Sequence, residues 1–163
     1  MSRLDTIVAH AESLGLTPYA RGRRWAVYLG DAAEVLAKLP AGSVHCCVTS
    51  PPYYGLRDYE VQDVQIGLEP SIADYLQRLM AVLDQVQRVL SPAGSLWLNI
   101  GDSYVHRKLP DRVPKGSLAG IPARVQVGLT ERGWVVHNVV AWVKRRAAPE
   151  PVTRRRLANT WEP

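Results

Sequence analysis

Thr49-Ser50-Pro51-Pro52-Tyr53-Tyr54-Gly55-Leu56-Arg57-Asp58-Tyr59 is the stretch that decides how the chain is read. It follows Val44-His45-Cys46-Cys47-Val48, a short β-prone run of the kind that makes a buried parallel strand. Two prolines directly after a strand end it, because neither donates a ladder hydrogen bond and each fixes φ. The chain is forced into a stiff turn at the carboxyl end of a strand, which is where open α/β sheets bind ligands. Ser50-Pro51-Pro52 presents carbonyl oxygens that no local N–H can occupy, with the Tyr53 ring beside them. Acceptors next to a flat stacking surface suit a planar base that carries an exocyclic amino group. Four residues alone are equally a strand-terminating turn, and the surrounding chain decides between the two.

Upstream, Trp25 to Leu29 reads as a strand ending at Gly30-Asp31, and Ala32 to Leu39 as a short helix with Asp31 as N-cap. Pro40-Ala41-Gly42-Ser43 then turns the chain into Val44–Val48, which completes a βαβ unit. Before it, the spacing of Leu4, Ile7, Val8, Ala11 and Leu14 predicts a helix stopped by Gly15, and Arg21 to Arg24 is a basic link. Downstream of the prolines lies a loop of about fifteen residues, long enough to suggest function. Ser71-Ile72-Ala73-Asp74 resembles a capping box, and Ile72, Tyr75, Leu76, Leu79, Leu83, Val86 and Leu90 share one helical face. Ser91 to Gly94 ends that helix, and Ser95 to Ile100 is a third strand followed by Gly101-Asp102-Ser103-Tyr104. Residues 105 to 117 form a polar, proline-bearing loop. Gly120 to Arg132 reads as a helix with Pro122 in its first turn, and Trp134 to Trp142 as a fourth strand. The expected fold is α/β, a sheet of about four mostly parallel strands with flanking helices.

The chain has 163 residues, enough for one domain with its own core, and its hydrophobic content of 47% is ordinary for a globular protein. No apolar run approaches the roughly 20 residues that span a bilayer, and no signal-peptide pattern opens the chain. Adjacent cysteines in a strand cannot pair, so a reducing cytoplasm is the natural setting. Cys46 and Cys47 read as core residues, as do Trp97, Trp134 and Trp142. His10, His45, His106 and His137 are too scattered for a metal site, and no metal is expected. The net charge of +5 is concentrated: Lys144 to Pro163 holds six basic and two acidic residues. Such a tail is either a phosphate-contacting surface or a solvated end.

Ser50-Pro51-Pro52-Tyr53 resembles the [Asp/Asn/Ser]-Pro-Pro-aromatic motif of DNA amino-methyltransferases, which act on cytosine N4 or adenine N6. The likeness runs from about residue 25 to residue 163 in the β-type order of motifs. Tyr28-Leu29-Gly30-Asp31, the Leu39–Val44 turn, Gly94–Ser103, Gly120-Ile121-Pro122-x-Arg124, Gly133-Trp134 and Val140-x-Trp142-x-Lys144 all take part. The resemblance implies a Rossmann-like S-adenosylmethionine-dependent methyltransferase sheet. It also implies transfer of a methyl group to a base flipped out of duplex DNA. Ser50, Pro51, Pro52 and Tyr53 would be catalytic, with the Ser50 side chain and the Pro51 carbonyl accepting the amino N–H groups and Tyr53 stacking on the base. Asp31, Thr49 and Ser50 would approach the cofactor. Arg57, Lys144, Arg145 and Arg146 would contact DNA, although exposed basic residues also serve simply as solvated charge. Asp102 either lines the pocket or is an ordinary turn residue.

Ser before Pro-Pro favours cytosine N4 within the family, with adenine N6 as the alternative. Other readings are an inactive DNA-binding fragment that uses the arginine-rich tail, and methylation of RNA or a protein amide. The chain departs from the family pattern in having no phenylalanine and no Gly-x-Gly, so the family's glycine-rich cofactor loop is missing. Lys144-Arg145-Arg146 also stands where Lys-Pro-Asn is usual, and Arg154 where Asp often precedes Arg. The expected organisation is therefore an N-terminal helix and basic link (1–24), a partial catalytic α/β domain (25–143) and a basic segment (144–163). A complementary chain or a C-terminal half would supply the cofactor loop. An incomplete sheet would also leave an edge for a homodimer.

Overall fold

The computed structural model describes residues 2–60 and 65–144, and the backbone of 161–162. The chain divides into two compact units, Met1–Thr49 with Arg78–Trp97, and Ser50–Gln77 with Leu98–Pro163.

The first unit opens with α1 (Arg3–Ser13), whose N-cap Ser2 and Asp5 exchange the two hydrogen bonds of a capping box. Gly15, at φ +74°, ends it: its N–H reaches the Glu12 carbonyl, and the Leu16 N–H reaches that of Ala11 at 2.9 Å. This is the left-handed C-terminal closure that glycine adopts without a Cβ penalty. Next come β1 (Ala20–Arg21) and β2 (Ala26–Val27), then α2 (Ala32–Ala37), β3 (Val44–Thr49), the later turns of α3 (Ile72–Val89) and β4 (Leu90–Leu98). β3 and β4 form a small parallel sheet. Among the described residues, those buried in this unit are Val8 and Ala11 of α1, Leu79, Met80, Leu83, Val86 and Val89 of α3, and Leu90 of β4. Arg88 ties α3 to the end of α2: its guanidinium donates to the Leu39 carbonyl at 3.0 Å and to that of Leu36 at 2.5 Å. A cation on the carbonyls at a helix C-terminus is favoured by both hydrogen bonding and the helix dipole.

In the second unit the first turns of α3 and all of α4 (Ile121–Glu131) bury Ile72, Tyr75, Ile121, Val125 and Leu129. Ser71 caps α3 by accepting from the Asp74 N–H at 3.0 Å, as its sequence suggests. β5 (Trp142–Val143) and β6 (Trp161–Glu162) pair antiparallel, with Trp142 opposite Glu162 and Val143 opposite Trp161.

The α/β class and the α3 face agree with the sequence, but several strands do not. Trp25–Leu29 does not enter a parallel sheet. Only Ala26–Val27 pairs, antiparallel to Ala20–Arg21, because a tight Gly22–Trp25 turn closes a local hairpin (Gly22 N–H to Trp25 carbonyl, 2.9 Å). Trp134–Trp142 is not a continuous strand; only Trp142 enters one, and Val135, Val139 and Val140 are exposed. Alternating apolar residues make a strand only where a partner ladder receives them. β4 begins at Leu90 rather than Ser95, although Gly94 still folds tightly, since a Cβ there would lie 2.9 Å from the Ser91 carbonyl oxygen. β3 is not buried throughout: Val48 is 78% exposed and Cys46 is exposed, so Cys46 is not a core residue. Trp97 and Trp142 are more than 60% exposed and are not core either, because the two-stranded pairings leave a face of each strand uncovered.

Arg88→Met should lower stability by about 2 kcal/mol, the scale of hydrogen bonds made by a charged group. A urea titration followed by circular dichroism measures it. A midpoint unchanged from wild type would contradict the role given to Arg88.

Candidate active site

Ser50, Pro51, Pro52, Tyr53, Leu56, Arg57 and Tyr59 line an open cleft of about 240 Å³ in the second unit. The turn that forms it is fixed from several sides. Tyr75 comes from the buried face of α3, and its phenol donates to the Pro52 carbonyl at 3.0 Å. Burial pushes that phenol's pKa up, and the nearby Glu69 charge adds to the effect, so the group stays a donor. Tyr54, itself buried, stacks at a tilt on Tyr75 with ring centroids 5.3 Å apart. The Tyr53 carbonyl accepts from the Leu56 N–H at 3.4 Å. Among the described residues no donor takes up the Pro51 carbonyl.

Tyr53 is held by backbone and by one amide. A Cβ on Gly101 would lie 2.6 Å from a Tyr53 ring carbon, and one on Gly67 would lie 3.0 Å from the Tyr53 carbonyl oxygen. Only glycine permits either approach. The Asn99 amide donates to the Tyr53 hydroxyl at 2.9 Å and to Ser50 Oγ at 3.5 Å. Behind the turn, Gly55 N–H donates to the Gly67 carbonyl at 2.6 Å, and Gly67 N–H to Glu69 Oε2 at 2.8 Å. The Gln65 side chain closes the 57–59 segment, donating to the Arg57 carbonyl and accepting from the Tyr59 N–H.

The structure therefore gathers Ser50, Pro51, Pro52, Tyr53 and Arg57 at one cleft. Asp31 and Thr49 belong to the first unit. Asp31 is the N-cap of α2: its Oδ1 accepts from the N–H groups of Ala33 at 2.9 Å and Glu34 at 3.1 Å. Thr49 is the last residue of β3. Asp102 caps α4, with its two carboxylate oxygens accepting from the N–H groups of Gly120 at 3.0 Å and Ile121 at 3.1 Å. Lys144 follows β5 and is exposed, while Arg145 and Arg146 lie outside the described residues. Gly101 lies beside the Pro-Pro turn, as its place at the end of a strand suggests, whereas Asn99, Tyr75 and Gly67 escaped the sequence reading. The one available signal was a tyrosine on an otherwise aliphatic helix face, since a buried hydroxyl needs a partner.

Residues 44–163 match the family model of DNA methylases. The chain is 44% identical over 160 residues to the Type II methyltransferase M.SfiI of Streptomyces fimbriatus, covering 93% of this chain and 37% of that protein. It is 43% identical to the Type II methyltransferase M.Cfr9I of Citrobacter freundii, over 79% of this chain and 49% of the relative. Among solved structures, a DNA modification methylase of Thermus thermophilus complexed with S-adenosyl-L-methionine superposes with a TM-score of 0.61 at 32% identity. That match covers 82% of this chain and 51% of the other. The cytosine-N4-specific PvuII DNA methyltransferase gives 0.62 at 22% identity, over 84% and 46%, a likeness of fold. These neighbours share the Rossmann-like α/β fold. The chain spans about half the length, or less, of the relatives it matches.

Tyr75→Phe should cost about 1 kcal/mol at neutral pH by leaving the Pro52 carbonyl unmatched. The raised phenol pKa gives the pH dependence its sign. The wild type keeps this contribution below the ordinary tyrosine pKa near 10 and loses it as pH rises toward the elevated folded value, whereas the phenylalanine variant has nothing there to ionise. The gap between the two urea midpoints should therefore narrow above about pH 10. A gap that stays constant through the alkaline range would contradict a buried phenol at this position.

Proposed function

Because the chain belongs to the DNA methylase family, we propose that it carries the base-binding cleft of an S-adenosylmethionine-dependent DNA methyltransferase. The observation that carries the reading is the pair of acceptors at the Ser50-Pro51 step, an open Pro51 carbonyl and the Ser50 hydroxyl, next to the immobilised Tyr53 ring.

A base amino nitrogen is a poor nucleophile because its lone pair is delocalised into the ring. The Pro51 carbonyl and Ser50 Oγ accept its two N–H bonds, which draws the nitrogen toward tetrahedral geometry and stabilises the positive charge that grows there. Asn99 donates toward Ser50 Oγ and so leaves a second lone pair on that oxygen for the substrate. Tyr53 stacks on the base, which must leave the duplex to reach the cleft. Arg57, on the cleft wall, contacts a flanking phosphate, and Lys144, Arg145 and Arg146 are assigned to DNA from the sequence alone. S-adenosylmethionine, when bound, supplies a sulfonium methyl for direct displacement. Asp31 has a second carboxylate oxygen outside its cap bonds, which suits a hydroxyl or amino donor of a nucleoside, and Thr49 and Ser50 complete the residues assigned to the cofactor.

We assign the product as N4-methylcytosine because serine heads the Pro-Pro motif; N6-methyladenine is the alternative. The Type II methyltransferase relatives support a role in restriction-modification.

The test is methyl transfer from labelled S-adenosylmethionine to mixed-sequence duplex DNA, with the labelled nucleoside identified by mass. The chain is assayed alone and with a lysate of its source, over the lysate's own background. Ser50→Ala should lower turnover about 10²-fold, as loss of one electrostatic contact to a developing charge does. Tyr53→Ala should lose roughly 1–3 kcal/mol of base stacking in the DNA-dependent kcat/KM. Label on adenine would replace the cytosine assignment, and wild-type rates in both variants would remove the cleft from the reaction.

A further inference from the structure

Residues 105–117 carry four basic side chains, Arg107, Lys108, Arg112 and Lys115, and a single acidic one, Asp111. The segment is a closed loop. Its base is fastened by Val105 N–H to the Ser117 carbonyl at 2.9 Å, Gly116 N–H to the Val105 carbonyl at 2.8 Å, and a Tyr104–Leu118 antiparallel bridge. Val105 and Leu109 are buried and anchor it.

The charge of this loop is not balanced locally. Asp111 is committed elsewhere: its oxygens accept from the N–H groups of Ile72 at 2.7 Å and Ala73 at 3.3 Å, at the start of α3. Helix N-termini favour a carboxylate by hydrogen bonding and by the dipole. Lys108, Arg112 and Lys115 are exposed and have no acidic partner among the described residues. Arg112 is also held at φ +59°, a left-handed conformation that a long side chain adopts at a cost and that glycine would fill freely. Strained backbone positions of this kind cluster at functional sites.

The loop is tied at two points to the elements that hold the cleft. Arg107 donates to the Glu69 carbonyl at 3.0 Å, Glu69 accepts from Gly67, and Gly67 lies against the Tyr53 carbonyl. Asp111 caps the helix whose Tyr75 holds Pro52. From this arrangement we infer that Lys108, Arg112 and Lys115 are a phosphate-contacting surface, gripping the backbone of duplex DNA beside the base-binding cleft. The inference rests on the DNA reading of that cleft. It adds a second contact set to the one assigned to Arg57 and Lys144–Arg146. A cation set on a braced loop positions a duplex without reading its sequence.

The test is fluorescence anisotropy of a labelled duplex with the wild-type chain and with Lys108→Ala/Arg112→Gly/Lys115→Ala, over a series of salt concentrations. Glycine suits φ +59°, so loss of folding should not confound the variant, and its melting temperature is measured alongside. Each lost phosphate contact reduces the slope of log affinity against log salt by about 0.9, so the triple variant should lose between about 2 and 3 from the slope, equally for unrelated sequences. Wild-type binding with an unchanged slope in the variant would overturn the loop surface and leave the DNA reading standing. Absence of salt-dependent duplex binding by the wild type would overturn both. Preferential displacement by duplex RNA, lost in the variant, would overturn DNA as the partner of the loop.

Discussion

Two consecutive prolines at the end of a strand leave carbonyls that the local chain cannot satisfy, and the site is built around which of them is then occupied. The Pro52 carbonyl is taken by the buried Tyr75 phenol, and the Tyr53 carbonyl by a turn N–H. Among the described residues the Pro51 carbonyl has no donor, and Pro51 lines the cleft. A buried acceptor without a partner would cost about 1–3 kcal/mol, whereas one facing an open cleft is hydrated until a ligand replaces water. The ring that removes each proline's N–H also fixes φ, which keeps the Pro51 oxygen in place. On the proposed function, binding of a base would require little reorganisation, the condition under which electrostatic stabilisation is most effective.

The neighbouring elements of the second unit are oriented by carboxylates at helix starts. Asp102 receives α4, while Asp111, with Ser71 and Asp74, receives α3. Asp102 lies one residue after Gly101, which packs on the Tyr53 ring, and three after Asn99, which holds its hydroxyl. One short segment, Asn99 to Asp102, thus sets the pose of the aromatic platform and fixes the entry of a helix. A carboxylate that caps a helix is engaged structurally, which makes Asp102 a poor candidate for proton transfer and a good one for rigidity.

Local signals in the sequence were sufficient for the helices. Asp31, Ser71 and Gly15 punctuate them with side-chain and backbone chemistry from residues close in sequence. The buried face of α3 is likewise a pure periodicity. Strands were less legible because pairing is decided by the partner: Trp25–Leu29 and Trp134–Trp142 have the composition of strands, yet only short pieces of each find a ladder. At the cleft, Ser50 to Tyr53 and Arg57 could be read from the motif. Asn99 could not, since a strand-end asparagine gives no hint of a hydroxyl 46 residues away in sequence. Asp111 was hidden in the same way, 39 residues from the N–H group it caps.

On the proposed function, an exocyclic amino group is held by the Pro51 carbonyl and Ser50 Oγ over the Tyr53 ring. A crystal structure of the protein with a duplex containing its target base tests it most directly. A flipped base should stack on Tyr53 with its amino nitrogen about 3 Å from both oxygens, the distance of an N–H···O bond. A base that remains in the duplex, or one held in the cleft with its amino group turned away from the Pro51 carbonyl, would contradict it.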